Sequence, residues 1–171
     1  MTLSIKRMAA VVASATLLGG MADAAAADNS HDVTFMAGEV CADFGVGLDF
    51  GDESRSLHEF TDATGTPVRA ILAGRAGSVT LTRLNPDGTD TDITFTVKGK
   101  GSMWNIVYNS DGSQTITTNG NLVFFIFPTD VPPGPSSTLY IGQVKFIQSG
   151  TVSHVLSHTG TTTDLCAALS D

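Results

Sequence analysis

Cys41 and Cys166, the histidines His154 and His158, and the run Asn85, Asp87, Asp90 and Asp92 are the residues whose types and spacing could do chemistry. The two cysteines are the only ones in the chain. In an oxidising compartment they would form one bridge, and with no Cys-x-x-Cys pair the expected role is structural. His154 and His158 sit four apart. On a helix they would share a face and could chelate a metal. On a strand, rising about 3.3 Å per residue, they lie about 13 Å apart, and two surface histidines are expected instead.

The Asn/Asp run could offer oxygen ligands to Ca²⁺, but it lacks the twelve-residue loop and closing glutamate of an EF-hand. Turn-forming Asn and Asp account for it without an ion. No metal and no cofactor is expected; Asp87, Asp90 and Asp92 are the positions to which an ion would go. Asp49, Asp52 and Glu53 form a second acidic group with a thinner case. Hydrolytic chemistry needs paired carboxylates or a nucleophile elbow, and no Gly-x-Ser-x-Gly is present. Gly99-Lys100-Gly101 has neither the third glycine of a dinucleotide site nor the spacing of a P-loop. No catalytic residue is identified.

The compartment is read from the front of the chain. Lys6 and Arg7 precede an apolar stretch over residues 8–18, too short to span a bilayer as a helix. Gly19-Gly20 breaks it, and Ala-x-Ala sequences follow at 22–26, the pattern of a cleavable export signal. Residues 1–27 are expected to be a signal peptide and residues 28–171 one secreted, extracellular domain. Without Lys6, Arg7 and Asp23, the 9 basic and 17 acidic residues become 7 and 16, a net charge of −9. That charge disfavours nucleic acid and anionic membrane surfaces, which select basic patches. After signal cleavage no membrane insertion is expected.

The elements that must position these residues read as strand and turn almost throughout, rich in Thr, Val, Ile and Phe. Strands are expected over residues 40–44, 56–60, 67–72, 79–84, 93–97, 103–108, 114–118, 122–127, 139–147 and 151–158. Asn85-Pro86-Asp87-Gly88 and Asn109-Ser110-Asp111-Gly112 supply turn chemistry, and Asn119-Gly120 reads as a tight hairpin turn. A short helix over residues 164–169 would have Thr163 or Asp164 as its N-cap. The predicted fold is all-β: a single antiparallel meander of nine or ten strands, a barrel in preference to a sandwich because closure removes edges, with the terminal helix tied back by the disulfide.

One stretch violates the alternation of a half-solvated strand. Leu122-Val123-Phe124-Phe125-Ile126-Phe127 is apolar on both faces, so something must cover the second face. The segment around Leu165 and Leu169 is one candidate, and a homo-oligomer contact through this strand is the other. Pro128 to Ser137 is proline-rich, and Thr129, Asp130, Val131, Pro132 and Pro133 form a candidate recognition loop, stiffened towards an extended form.

Three functions are consistent with these features: a non-catalytic binding or interaction domain whose partner is an unknown protein, a small barrel that binds or transforms a small hydrophobic ligand, and a hydrolase or isomerase whose site assembles only in the fold. For the second, Trp104, Tyr108, Phe124, Tyr140 and Phe146 are the candidate pocket lining. The first is the leading expectation.

Overall fold

A computed structural model describes residues 31–100 and 103–170. The expected leader lies outside the described residues. Eleven strands are present: β1 (Val33–Phe35), β2 (Gly45–Phe50), β3 (Ser54–Thr61), β4 (Pro67–Arg75), β5 (Val79–Leu84), β6 (Asp90–Val97), β7 (Met103–Tyr108), β8 (Gln114–Ile126), β9 (Ser136–Ser149), β10 (Val152–His158) and β11 (Thr161–Asp164), followed by α1 (Leu165–Ala168). They build two antiparallel sheets. One has the order β1-β2-β5-β6; the other runs β3-β4-β7-β8-β9-β10, with β11 also on β9.

The sheets are joined by ladders that continue in register across a bend. Phe50 stands opposite Val79, and four residues further on Ser54 stands opposite Arg75. Three residues intervene on each side, so β2–β3 and β5–β4 are one ladder folded at that point. The fold is possible because Gly51, Gly77 and Gly99 meet there. A Cβ on Gly77 would overlap the Gly51 carbonyl, and one on Gly99 would overlap the Gly77 carbonyl.

A second bend explains the strand that is apolar on both faces. From Ile116 to Phe124 a straight strand would travel about 26 Å. Ile116 pairs with Phe146, yet the rings of Phe124 and Phe146 are 4.9 Å apart. The β8–β9 ladder therefore folds back on itself. Its midpoint is the pair Gly120 and Gly142, both at positive φ (109° and 145°), which side chains rarely adopt. One face of the apolar stretch, Val123, Phe125 and Phe127, packs with Leu48, Leu81, Val97, Leu165 and Leu169 in a core beneath the four-stranded sheet. The other, Phe124 and Ile126, packs with Ile116, Tyr140, Val144 and Phe146 of its own ladder.

Four expectations are corrected. The sheets do not close into a barrel: β3 ends the long sheet on one side, and at the other Val131 lies along β10, taking a hydrogen bond from Val155 N and giving one to Ser153 O, so the loop and not β3 covers that edge. Asn119-Gly120 is not a hairpin turn, because Gly120 keeps its place in the ladder opposite Gly142 and bends the strand without reversing it. Residues 40–44 are not a strand. They run as a series of bends instead: Gly38 N donates to Cys41 O at 2.7 Å, and Ser137 Oγ donates to Val40 O at 2.9 Å. Among the described residues the strands number eleven: residues 114–118 and 122–127 merge into β8, while β1, β2 and β11 are added, β1 and β11 being too short to show a periodic signal.

The Cys41–Cys166 bridge is formed, with Cα atoms 5.6 Å apart. It holds α1 beneath the four-stranded sheet. Asp164 is the N-cap, accepting from Ala167 N at 3.0 Å. Arg83 reaches the other end, donating to the carbonyls of Leu169 and Ser170 while its guanidinium lies 4.7 Å from the centre of the Phe44 ring. Among the described residues, no helix is long and apolar enough to cross a membrane.

Candidate functional site

Four of the five rings expected to line a pocket belong to the second core. Trp104, Phe124, Tyr140 and Phe146 meet one another edge to face, with centroids 4.9 to 6.4 Å apart. This is a filled core. Trp104 Nε1 and Thr118 Oγ1, on residues paired across β7 and β8, are buried in it without a hydrogen-bond partner. Tyr108 stands apart and donates to Glu59 Oε1 at 3.1 Å. Burial first, and the neighbouring Glu59 carboxylate second, raise its phenol above the usual range. A shallow depression of about 140 Å³ lies elsewhere, beside Met36, Phe44 and Pro86. It is smaller than the roughly 300–1,000 Å³ typical of ligand sites.

The proline-rich loop is anchored from within. Asp130 is buried; its carboxylate accepts from Phe127 N at 2.8 Å and from Ser153 N at 2.6 Å. Of the five candidate recognition residues, Thr129, Val131, Pro132 and Pro133 are exposed and Asp130 is the internal anchor.

The acidic hairpin tip is divided between two tasks. Asp87 closes its own turn, accepting from Thr89 N and Oγ1. Those bonds, the hydroxyl's first, hold its carboxyl below the usual range. Asp90 instead binds His31, whose ring lies between two carboxylates, Nδ1 to Asp49 at 3.0 Å and Nε2 to Asp90 at 2.9 Å. The His31 side chain is 6 % exposed, seated where a Cβ on Gly47 would collide with it. Burial opposes its charge, but the bonds to Asp90 and Asp49 outweigh burial and raise its pKa above 6.5. Among the described residues, no group of three His, Cys, Asp or Glu gathers as a metal site.

A consequence follows for pH. A histidine with a raised folded-state pKa lends stability in full below its unfolded value and loses it as pH rises through the folded value. The His31 clamp should therefore hold β1 on β2 most firmly below about pH 6.5 and progressively less firmly as pH rises through its raised folded-state value. Amide exchange of residues 33–35 should accelerate with pH beyond the intrinsic base-catalysed rate. In His31→Ala only the intrinsic slope should remain; identical slopes for both proteins would refute the clamp.

His154 and His158 do not share a face, although an even spacing on a regular strand would imply that they do. A bulge falls between Val155 and Ser157. It leaves His154 opposite Ile147 and puts His158 opposite Val144, with its ring 5.2 Å from that of Tyr140. The two histidines lie on opposite faces and cannot share a metal.

The surface that stands out was not singled out from the sequence. In the long sheet the row Glu59, Ala70, Ile106, Ile116, Phe146, Val155 faces the second core. The rows on either side of it face outward, because side chains alternate along each strand. One is His58, Ile71, Asn105, Thr117, Lys145, Ser157; the other is Phe60, Arg69, Val107, Thr115, Ile147, His154. Neither contains a carboxylate. Glu59 is the single Asp or Glu in β3, β4, β7, β8, β9 and β10; it lies on the opposite face of the sheet, where it is exposed and accepts from Tyr108. Phe60, Met103 and Val107 are exposed on this outward face.

Its cations are held without counter-charges. Arg69 Nε donates to Asn105 Oδ1 at 2.8 Å, and the guanidinium lies 5.8 Å from the centre of the Phe60 ring. The ion pairs among the described residues join His31 to Asp49 and Asp90 and Arg55 to Glu53; none involves Arg69, Arg75 or Lys145.

The four-stranded sheet is the electrostatic opposite. Its outward rows are Gly47, Thr82, Thr94 and Asp49, Thr80, Thr96, with Asp90 and Asp92 further along β6. Arg83, the one Lys or Arg in these strands, is turned towards Phe44 and α1.

Fold and surface together define an antiparallel two-sheet β domain, closed by one disulfide, with its charges sorted between the outward faces of its sheets. Comparison with known protein families, with curated proteins and with solved structures finds no match to this chain.

Proposed function

We propose that this is a non-catalytic binding domain of an oxidising, extracellular setting, and that its partner docks on the outward face of β3-β4-β7-β8-β9. The observation that carries the reading is the absence of every carboxylate from that face, in a domain where Asp and Glu outnumber Lys and Arg by more than two to one. Solubility alone would not sort charges this way. The composition supports a protein partner: exposed Phe60 and Met103 with Arg69, and no Asp or Glu, match the enrichment and depletion of protein interfaces. The disulfide supports the compartment. The exposed loop residues Thr129, Val131, Pro132 and Pro133 are left a secondary part, since Asp130 ties the loop to β10.

The experiment is ion exchange against the sign of the net charge. At neutral pH and low salt, where screening extends over about 30 Å, the mature protein should be retained on a sulfonated matrix despite its charge of −9. The double substitution Arg69→Gln and Lys145→Gln should pass through unretained. If the wild-type protein also passes through, the face is not a usable cationic surface and the reading falls.

A further inference from the structure

We infer that the partner is a second copy of this chain, bound head to tail: the carboxylate-bearing outward face of β1-β2-β5-β6 of one molecule lies on the carboxylate-free outward face of the long sheet of the next. This rests on the binding reading above and names its partner.

The argument is one of complementarity and elimination. The long sheet presents Arg69 and Lys145, with Arg75 at the end of β4 and neutral amides and hydroxyls between them (Asn105, Thr115, Thr117). Strands stand about 4.8 Å apart, so Arg69 on β4 and Lys145 on β9, three strands away, are about 14 Å apart across the sheet. Such sparse positive charge does not suit nucleic acid, which carries one negative charge per roughly 1.7 Å of duplex. It suits a surface whose negative charges are equally sparse and set among hydroxyls. Asp49, Asp90 and Asp92 among Thr80, Thr94 and Thr96 form such a surface; His31 lies between Asp49 and Asp90, leaving a net negative face with Asp92 free of that clamp, and no Lys or Arg shares those rows.

Face-to-same-face pairing is disfavoured, because it would bring Arg69, Arg75 and Lys145 of two copies together with no counter-charge. Contact through residues 122–127 is not needed, because both their faces are packed within the chain. The remaining arrangement is heterologous. Such a contact leaves one free face of each kind, so it closes into a ring or extends as a filament.

Sedimentation velocity on the mature protein tests this. At low salt the wild type should grow in size with concentration, and it should revert to monomer as salt shortens the screening length to about 3 Å near 1 M. Arg69→Gln with Lys145→Gln removes one face; Asp92→Lys with Thr94→Lys removes the other, and the two altered faces, one neutral and one cationic, do not attract each other. Each double variant, shown folded by circular dichroism, should be monomeric under conditions where wild type assembles, with association weakened by roughly tenfold or more. Mixed in equal amounts, they should form a dimer that grows no further, because one intact face of each kind remains between them. A wild-type protein that stays monomeric at every concentration overturns the self-partner while leaving the face reading to the ion-exchange result. An oligomer that survives both variants, or a mixture that stays monomeric, also overturns it. Retention on the sulfonated matrix together with a strictly monomeric wild type would assign the face to a different acidic occupant.

Discussion

Reduction of the Cys41–Cys166 bridge should destabilise the domain by up to about 5 kcal/mol, the chain-entropy value for a ring this long. The cysteines are 125 residues apart, so the bridge restrains nearly the whole unfolded chain. A loss of that size is comparable to the entire stability of many domains. It should not be felt evenly. Cys41 is fully buried beside Val40, and Leu165 and Leu169, on either side of Cys166, are fully buried in the same core. The short helix makes few bonds of its own: Leu169 N to Leu165 O, Ser170 N to Ala167 O, Ser170 Oγ to Cys166 O, the Asp164 cap, and those from Arg83. With the bridge cut, β11 and α1 should exchange their amide protons first, the β8–β9 ladder last. Thermal melting of the Cys41→Ser, Cys166→Ser protein gives the size of the loss, and amide exchange gives its order. A melting temperature unchanged from the oxidised protein would remove the stapling account, and uniform exchange would remove the idea that the terminus loosens first.

Lysine at both Val123 and Phe124 should abolish folding. The two positions point to opposite faces of β8, and in this fold both faces are occupied. Val123 packs against the core under the four-stranded sheet, and Phe124, 1 % exposed, against Phe146 and Tyr140. An ammonium group at position 124 would have no carboxylate to meet, since the core around it is aromatic and aliphatic. Burial of an unpaired charge is among the largest single penalties a domain can carry. Phe124→Ala separates packing from charge. It should cost about 3–5 kcal/mol and still allow a folded protein at low temperature. Far-ultraviolet circular dichroism and denaturant titration read both. A soluble double-lysine protein with wild-type stability would show that residues 122–127 are not the doubly covered strand described above.

The sequence was informative wherever a property is local. β7 runs over the residues expected of it, because Asn109-Ser110-Asp111-Gly112 ends it with turn chemistry; Asp111 does accept from Ser113 N and Oγ. The N-cap at Asp164 and the pairing of two lone cysteines were equally legible. Asn119-Gly120 was misread because a glycine with positive φ serves a hairpin turn and a bent strand alike. What separates the two is whether the next six residues pair with the preceding strand or run on beside β9, and they run on.

The outward face was not found from sequence, though part of its signal was present: between Asp111 and Asp164 the chain contains one carboxylate, Asp130. Composition along the chain could have shown that depletion. It could not have shown that Arg69 and Lys145 share a face, because that depends on three strand registers in succession, each of which moves every side chain to the other face if it slips by one residue.

Composition, turn residues and the two cysteines by themselves determined an acidic, antiparallel, disulfide-closed β domain, because strand and turn preferences act within a few residues of the chain and two lone cysteines have only each other to pair with. Tertiary structure alone decided that the sheets stay open, that the β8–β9 ladder folds over its own aromatic rings at Gly120 and Gly142, and that the carboxylates and unpaired cations are sorted onto different outward faces. Bends, edges and faces arise from pairings between residues far apart in the chain, and such pairings leave no periodic mark in any one segment.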